Sequence, residues 1–107
     1  MSRIVAAKRT YELDTQFEVE VTIFRAQPDQ DDYRAEFRIN GFVEVIESYA
    51  MGIDEFQALL LAFQKIATIL YCSKEYEDKR LTWLGTYDLG LPYVENIHDS
   101  VVQHTIQ

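Results

Sequence analysis

Few side chains in this sequence stand at spacings that support chemistry, and each has a plainer reading. Nucleophilic catalysis needs a nucleophile with an aligned base, and recognisable forms sit in local motifs such as G-x-S-x-G. None occurs in the sequence. Cys72 ends an apolar, helically patterned stretch, where a thiol reads as buried and structural rather than reactive. His98 and His104 are six apart, which matches neither one face of a helix nor the usual zinc spacings. Glu95 and Asp99 nearby would add only a weak, adventitious cation site. Gly41, Gly52, Gly85 and Gly90 are isolated, so the sequence holds no glycine-rich phosphate loop. The carboxylate pairs Glu18/Glu20 and Asp31/Asp32 are what any acidic chain supplies. Glu18 and Glu20 are expected to meet Arg34 and Arg38 in a cross-strand ladder. The expectation is a domain with no catalytic residue, no metal and no cofactor, hence not an enzyme.

Binding is better supported than catalysis. Trp83, Tyr87 and Tyr93 cluster around Gly85, Gly90 and Asp88, and aromatics with a polar edge are favoured at interfaces. The competing reading is that Trp83 and Leu84 close the open side of a helix while the glycines permit tight turns. A second group, Asp29, Asp31 and Asp32, crowds one polar turn. These seven residues (Asp29, Asp31, Asp32, Trp83, Tyr87, Asp88 and Tyr93) are the candidate partner-binding set. Two other readings compete. One is a small-molecule site or enzyme pocket between helix and sheet, edged by Tyr49, Gln57, Trp83 and Asp88. The other is a structural homodimer that buries surplus apolar helix surface or a sheet edge.

Ten basic and eighteen acidic residues give a formal charge of −8. Such a surface repels nucleic acid, whose affinity comes largely from Lys and Arg on phosphates, and it repels anionic membranes for the same reason. A basic protein partner would be attracted and its approach accelerated, although acidity also serves solubility alone. At 107 residues and 48% hydrophobic content the chain fits one domain, residues 1–107, able to fold without staples. A single cysteine forms no intramolecular disulfide and suits a reducing compartment. The N-terminus lacks the apolar run of a signal peptide. Residues 58–71 are too short and too polar to span a bilayer. A cytoplasmic location is the expectation.

Local periodicity outlines the elements that must position these residues. Phe17, Val19, Val21 and Ile23 alternate with Glu18, Glu20 and Thr22, and Tyr33, Ala35, Phe37 and Ile39 alternate with Arg34, Glu36 and Arg38, the period-two pattern of half-buried strands. Residues 28–32 form the polar reversal between them, and residues 4–13 read as a further strand. Asn40-Gly41 predicts a two-residue hairpin that places Ile39 opposite Phe42, Phe37 opposite Glu44, Ala35 opposite Ile46 and Arg34 opposite Glu47. Glu44 then falls on the apolar face and reads as a residue at the rim of the core. Asp54 caps a helix with Gln57 as its capping-box partner and Ile53/Ala58 as a hydrophobic staple. Phe56, Leu59, Leu60, Phe63, Ala67 and Leu70 follow at helical spacing, a stripe so broad that it demands covering on more than one side. The fold class is therefore α+β: an antiparallel four-stranded β-meander packed against one long helix, with a short irregular C-terminal segment.

Met51-Gly52-Ile53-Asp54-Glu55-Phe56-Gln57-Ala58-Leu59, with the later Trp83-Leu84-Gly85 and Asp88-Leu89-Gly90-Leu91-Pro92, resembles a family of small bacterial proteins of unknown function. That family has a G-[IV]-D-x-[FI]-Q-A-L helix start and a W-x-G…D-x-G-x-P segment. The likeness covers about the second half of the chain and implies no activity. Similar small acidic domains occur among bacterial immunity proteins, which neutralise toxins by binding them. The functional expectation is a non-enzymatic protein-binding module of that kind, with a basic toxin as partner.

Overall fold

The alternating segments become strands and the 3.6-periodic segment becomes a helix in the computed structural model, which describes residues 3–92. The chain runs β1 (Val5–Leu13), β2 (Phe17–Phe24), β3 (Gln27–Asp29), β4 (Asp32–Asn40), β5 (Ile46–Gly52), α1 (Glu55–Tyr71), α2 (Lys74–Glu77) and β6 (Leu81–Thr82). The fold is α+β with an antiparallel six-stranded sheet and one main helix. β5 borders one side of β4, while β2 and β3 share the other, and β1 then β6 complete the sheet. β3 thus prolongs β2. Between the pairs Ile23↔Phe37 and Gln27↔Arg34 the β2–β3 chain uses three residues, 24–26, against two, 35–36. That mismatch is a β-bulge, and it bends the strand. The expected four-stranded meander and single helix are matched in part: this split and the short β6 bring the sheet to six strands, and a four-residue helix follows α1.

The Asn40-Gly41 hairpin is corrected. Asn40 stays in β4, and the connection is the five residues 41–45, so Ile39 faces Ile46, Phe37 faces Ser48 and Ala35 faces Ala50. The register moves by four residues, which keeps the same side chains on the same face. Its physical advantage is specific: Glu44, which a two-residue turn would set opposite Phe37, goes out to solvent with the loop. The expected ladder of Glu18 and Glu20 with Arg34 and Arg38 is also replaced. Lys8 approaches Glu20 at 3.8 Å, Arg34 pairs with Glu36 at 3.0 Å, and Arg38 approaches Glu47 at 3.7 Å.

Helix α1 lies over β4 and β5. Asp54 Oδ1 accepts from the Gln57 amide at 2.8 Å, as expected of the cap, while Gln57 Oε1 accepts from the amide of Ile53 at 2.8 Å, one residue before the N-cap amide that a capping box uses. The hydrophobic staple does not form, because Ile53 is 75% exposed while Ala58 is buried. Ala58, Ala62, Ile66 and Leu70 carry the buried line of the helix, and the two alanines let its first half sit close to the sheet. Gly52 belongs to the same close approach, since a side chain there would collide with the backbone of Ala58 and Gln57. Phe56 and Leu60, expected in the apolar stripe, are exposed, as is the neighbouring Leu61, and so is Cys72, expected as a buried thiol. One helix face meets the sheet, and the stripe is wider than that face.

The core joins both halves of the chain: Tyr11, Val19, Ile23, Phe37 and Ile39 from the sheet, Ile66 and Leu70 from α1, and Leu81 and Leu89 from the end of the described chain. Among the described residues, no helix is long and apolar enough to cross a membrane.

Candidate functional site

Residues 83–92 begin at the end of β6, whose two residues pair with Glu12 and Leu13 at the far end of β1. Trp83 and Thr86 exchange backbone hydrogen bonds of 2.9 and 3.0 Å around Leu84 and Gly85, both in the left-handed region at φ 52° and 79°. This is a two-residue hairpin turn of the primed kind. Glu12 fastens it from the neighbouring strand. Its carboxylate accepts from the Thr82 hydroxyl at 2.8 Å and from the amides of Gly85 and Leu84 at 3.0 and 3.1 Å. The Thr82 hydroxyl and these amides favour the ionised form and hold the Glu12 carboxyl below its usual range.

After the turn the loop is pinned onto the sheet. Leu89 is fully buried. Its carbonyl accepts from Tyr11 Oη at 2.9 Å and its amide donates to Tyr71 Oη at 3.0 Å. Arg9 donates to the Gly90 carbonyl at 2.7 Å and lays its guanidinium 3.9 Å from the centre of the Trp83 ring. Gly90 has φ 64°, and a side chain on it would collide with that ring, so this position needs glycine for both backbone and space. Tyr76 Oη donates to the Tyr87 carbonyl at 2.9 Å, and Asp88 Oδ1 accepts from the Gly90 amide at 2.9 Å. Burial pushes the Tyr71 hydroxyl up to about 12 and raises those of Tyr11 and Tyr76. At neutral pH all three hydroxyls are protonated: those of Tyr11 and Tyr76 donate to loop carbonyls, and that of Tyr71 accepts from the Leu89 amide.

The two candidate groups lie apart. Trp83, Tyr87 and Asp88 follow β6, which runs antiparallel to β1 on the opposite edge of the sheet from β5, and Trp83 lies against Arg9 and Tyr11. Trp83 is half-buried beneath Arg9, and Tyr87 and Asp88 are exposed. Asp29, Asp31 and Asp32 sit at the β3–β4 hairpin, at the end where β5 passes into α1. Asp29 is half-buried and approaches Arg34 at 3.8 Å, while Asp31 and Asp32 are exposed. Tyr93 lies outside the described residues, as do His98 and His104. The residues named for a pocket edge lie apart: Tyr49 is on β5 beneath Arg34 at 3.6 Å, with Lys65 of α1 5.6 Å from its ring, Gln57 caps the start of the helix, and Trp83 follows β6 at the other edge of the sheet. Among the described residues, no group of His, Cys, Asp or Glu is placed to hold a metal.

Sequence reasoning missed Arg9, Tyr11, Glu12, Tyr71 and Tyr76, the residues that hold the loop. Their partners are 11 to 81 positions away, so spacing carries no sign of them.

The Glu12 clamp has a pH consequence. A carboxyl lowered in the folded state adds stability that is present above its unfolded value and is lost as pH falls through the folded one. Asp14, lowered by its hydrogen bond to Arg80, adds in the same direction. Acidification below neutral is therefore expected to destabilise the domain through the carboxylate range. Glu12→Gln should flatten that dependence, read from urea midpoints across a pH series. An unchanged slope would mean that Glu12 is not held as described.

Residues 7–93 match the model of a domain family of unknown function, DUF6968, and the chain belongs to that family. No curated protein and no solved structure matches it significantly. The resemblance to an uncharacterised family is thus met in its coarser form.

Proposed function

We propose that this member of the family is a non-enzymatic protein-binding module whose partner is basic, of the kind that neutralises a bacterial toxin by binding it. The observation that carries the reading is how the charge is distributed. Several basic residues on or beside the sheet are engaged by carboxylates: Arg3 with Glu36 and Glu47, Lys8 with Glu20, Arg34 with Glu36, Arg38 with Glu47, and Arg80 with Asp14 at 2.7 Å. Exposed pairs of this kind add little stability, but they cancel positive charge locally. Asp31 and Asp32 make no ion pair among the described residues, and they stand exposed at a two-residue reversal between paired strands. Two of the surplus negative charges of the −8 chain are therefore presented together to solvent at one hairpin tip, where they attract a cationic surface.

The test is capture of partners by the purified full chain from a lysate of the source cells, at low and high salt, beside an Asp31→Lys/Asp32→Lys variant. A basic protein retained by the wild type is expected to be lost at high salt, and its affinity for the variant to drop by about tenfold or more. Retention of the same protein by the variant, unchanged at high salt, would defeat the electrostatic reading.

A further inference from the structure

Three large apolar side chains that the fold does not use lie next to the acidic tip. Ile53, Phe56 and Leu60 are 75%, 78% and 39% exposed. Phe56 and Leu60, four residues apart, share one side of the first turns of α1, and Ile53 lies just before the Asp54 cap. The sheet register fixes their neighbours. Gly52, the last residue of β5, pairs with Tyr33, so Ile53, just past β5, and Asp32, the first residue of β4, are the next residues outward. Asp54 caps the helix and Glu55 occupies its first turn. The apolar row is thus flanked by Asp31, Asp32, Asp54 and Glu55, none of which forms an ion pair among the described residues. A contiguous exposed apolar patch rimmed by charge is the form of an interaction site, whereas scattered single apolar residues are not.

We propose that this end of the molecule is the docking surface, and that the partner presents to it an amphipathic basic helix. The apolar side of that helix would lie on Ile53, Phe56 and Leu60, and its Lys and Arg residues would meet the four carboxylates. The proposal rests on the protein-binding reading and gives it a location. Charge selects this occupant over the others. A second copy related by a two-fold axis would bring the acidic rim against itself, and an anionic lipid surface would be repelled by it. The four-residue spacing of Phe56 and Leu60 along α1 suits a helix laid beside it rather than an extended strand.

The experiment is a titration of the isotopically labelled full chain, followed by amide NMR. The probe is a synthetic peptide of leucine and lysine at amphipathic helical spacing, and the control is the same peptide with glutamate for lysine. The lysine peptide is expected to shift the amides of Ile53, Phe56, Leu60, Asp31 and Asp32, and the glutamate peptide to leave them unmoved. Phe56→Ser should weaken binding by about tenfold with the fold intact, since the ring is exposed. Asp31→Asn with Asp32→Asn should weaken it and flatten its salt dependence. A footprint on residues 83–88, or an affinity indifferent to Phe56→Ser, would overturn this surface while leaving the protein-binding reading in place. Absence of binding also overturns it, and self-association abolished by Phe56→Ser would assign the patch to a second copy. Failure of the reading itself is distinct, because it appears as loss of any basic partner in the capture experiment.

Discussion

Replacing Leu89 with alanine is expected to destabilise the domain by about 3 kcal/mol, in the range for emptying a buried leucine site. Leu89 is fully buried in the cluster that contains Tyr11, Leu70 and Leu81. The loop that carries it cannot easily settle into the vacated space. Its backbone is bonded on one side to Tyr11 and on the other to Tyr71, and moving inward would break hydrogen bonds to buried groups. Leu84 is the matched control, because it lies in the same loop and is 73% exposed. Its replacement by alanine should change stability by less than about 0.5 kcal/mol. Urea unfolding of both variants, with slopes equal to the wild type, measures the difference. Near-equal small effects would mean that residues 83–92 are a pendant loop. The expected large ratio makes the loop a part of the core, with Tyr87 and Asp88 as its surface.

Gly52→Ala is expected to cost about 2 kcal/mol or more, as an overpacked site does when its neighbours cannot yield. The added carbon would overlap the amide and Cα of Ala58 and the carbonyl carbon of Gln57. These are backbone atoms of the first turn of α1 and not the mobile end of a side chain, so the end of β5 or the helix must move. Shortening the opposing side chain should therefore give no relief, and Gly52→Ala with Ala58→Gly is expected to be no more stable than Gly52→Ala alone. Thermal melting of the single and double variants reads this directly. Rescue by the second substitution would show that the contact is made by side chains and that helix and sheet are less closely apposed.

Local readings succeeded where the physics is local. Strands 17–24 and 32–40 and the helix from residue 55 follow from periodicity alone, and the Asp54–Gln57 cap follows from two residue types three apart. The Asn40-Gly41 reading failed although its signal is local too. Gly41 has φ 139° rather than a turn value, and it lies against the backbone of Glu18 and Val19, so the neighbouring strand β2 set its conformation. The primed turn occurs instead at Leu84-Gly85, where no Asn or Asp announces it and where Glu12, from a strand seventy residues earlier, binds the exposed amides.

The same division holds for the candidate site. The acidity of the chain, the crowding of Asp29, Asp31 and Asp32 in one turn, and the α+β class were determined by composition and spacing, because charge and side-chain alternation are properties of the residues themselves. Only the tertiary structure decided which apolar residues of α1 remain in solvent. A helix on a sheet buries one face, and which residues lie on it depends on where Gly52 and the alanines allow the helix to rest. It also decided that Trp83 is held beneath Arg9 and that Leu89 plugs the core. Those contacts join residues some eighty positions apart, and chain closure over that distance leaves no periodicity behind in the sequence.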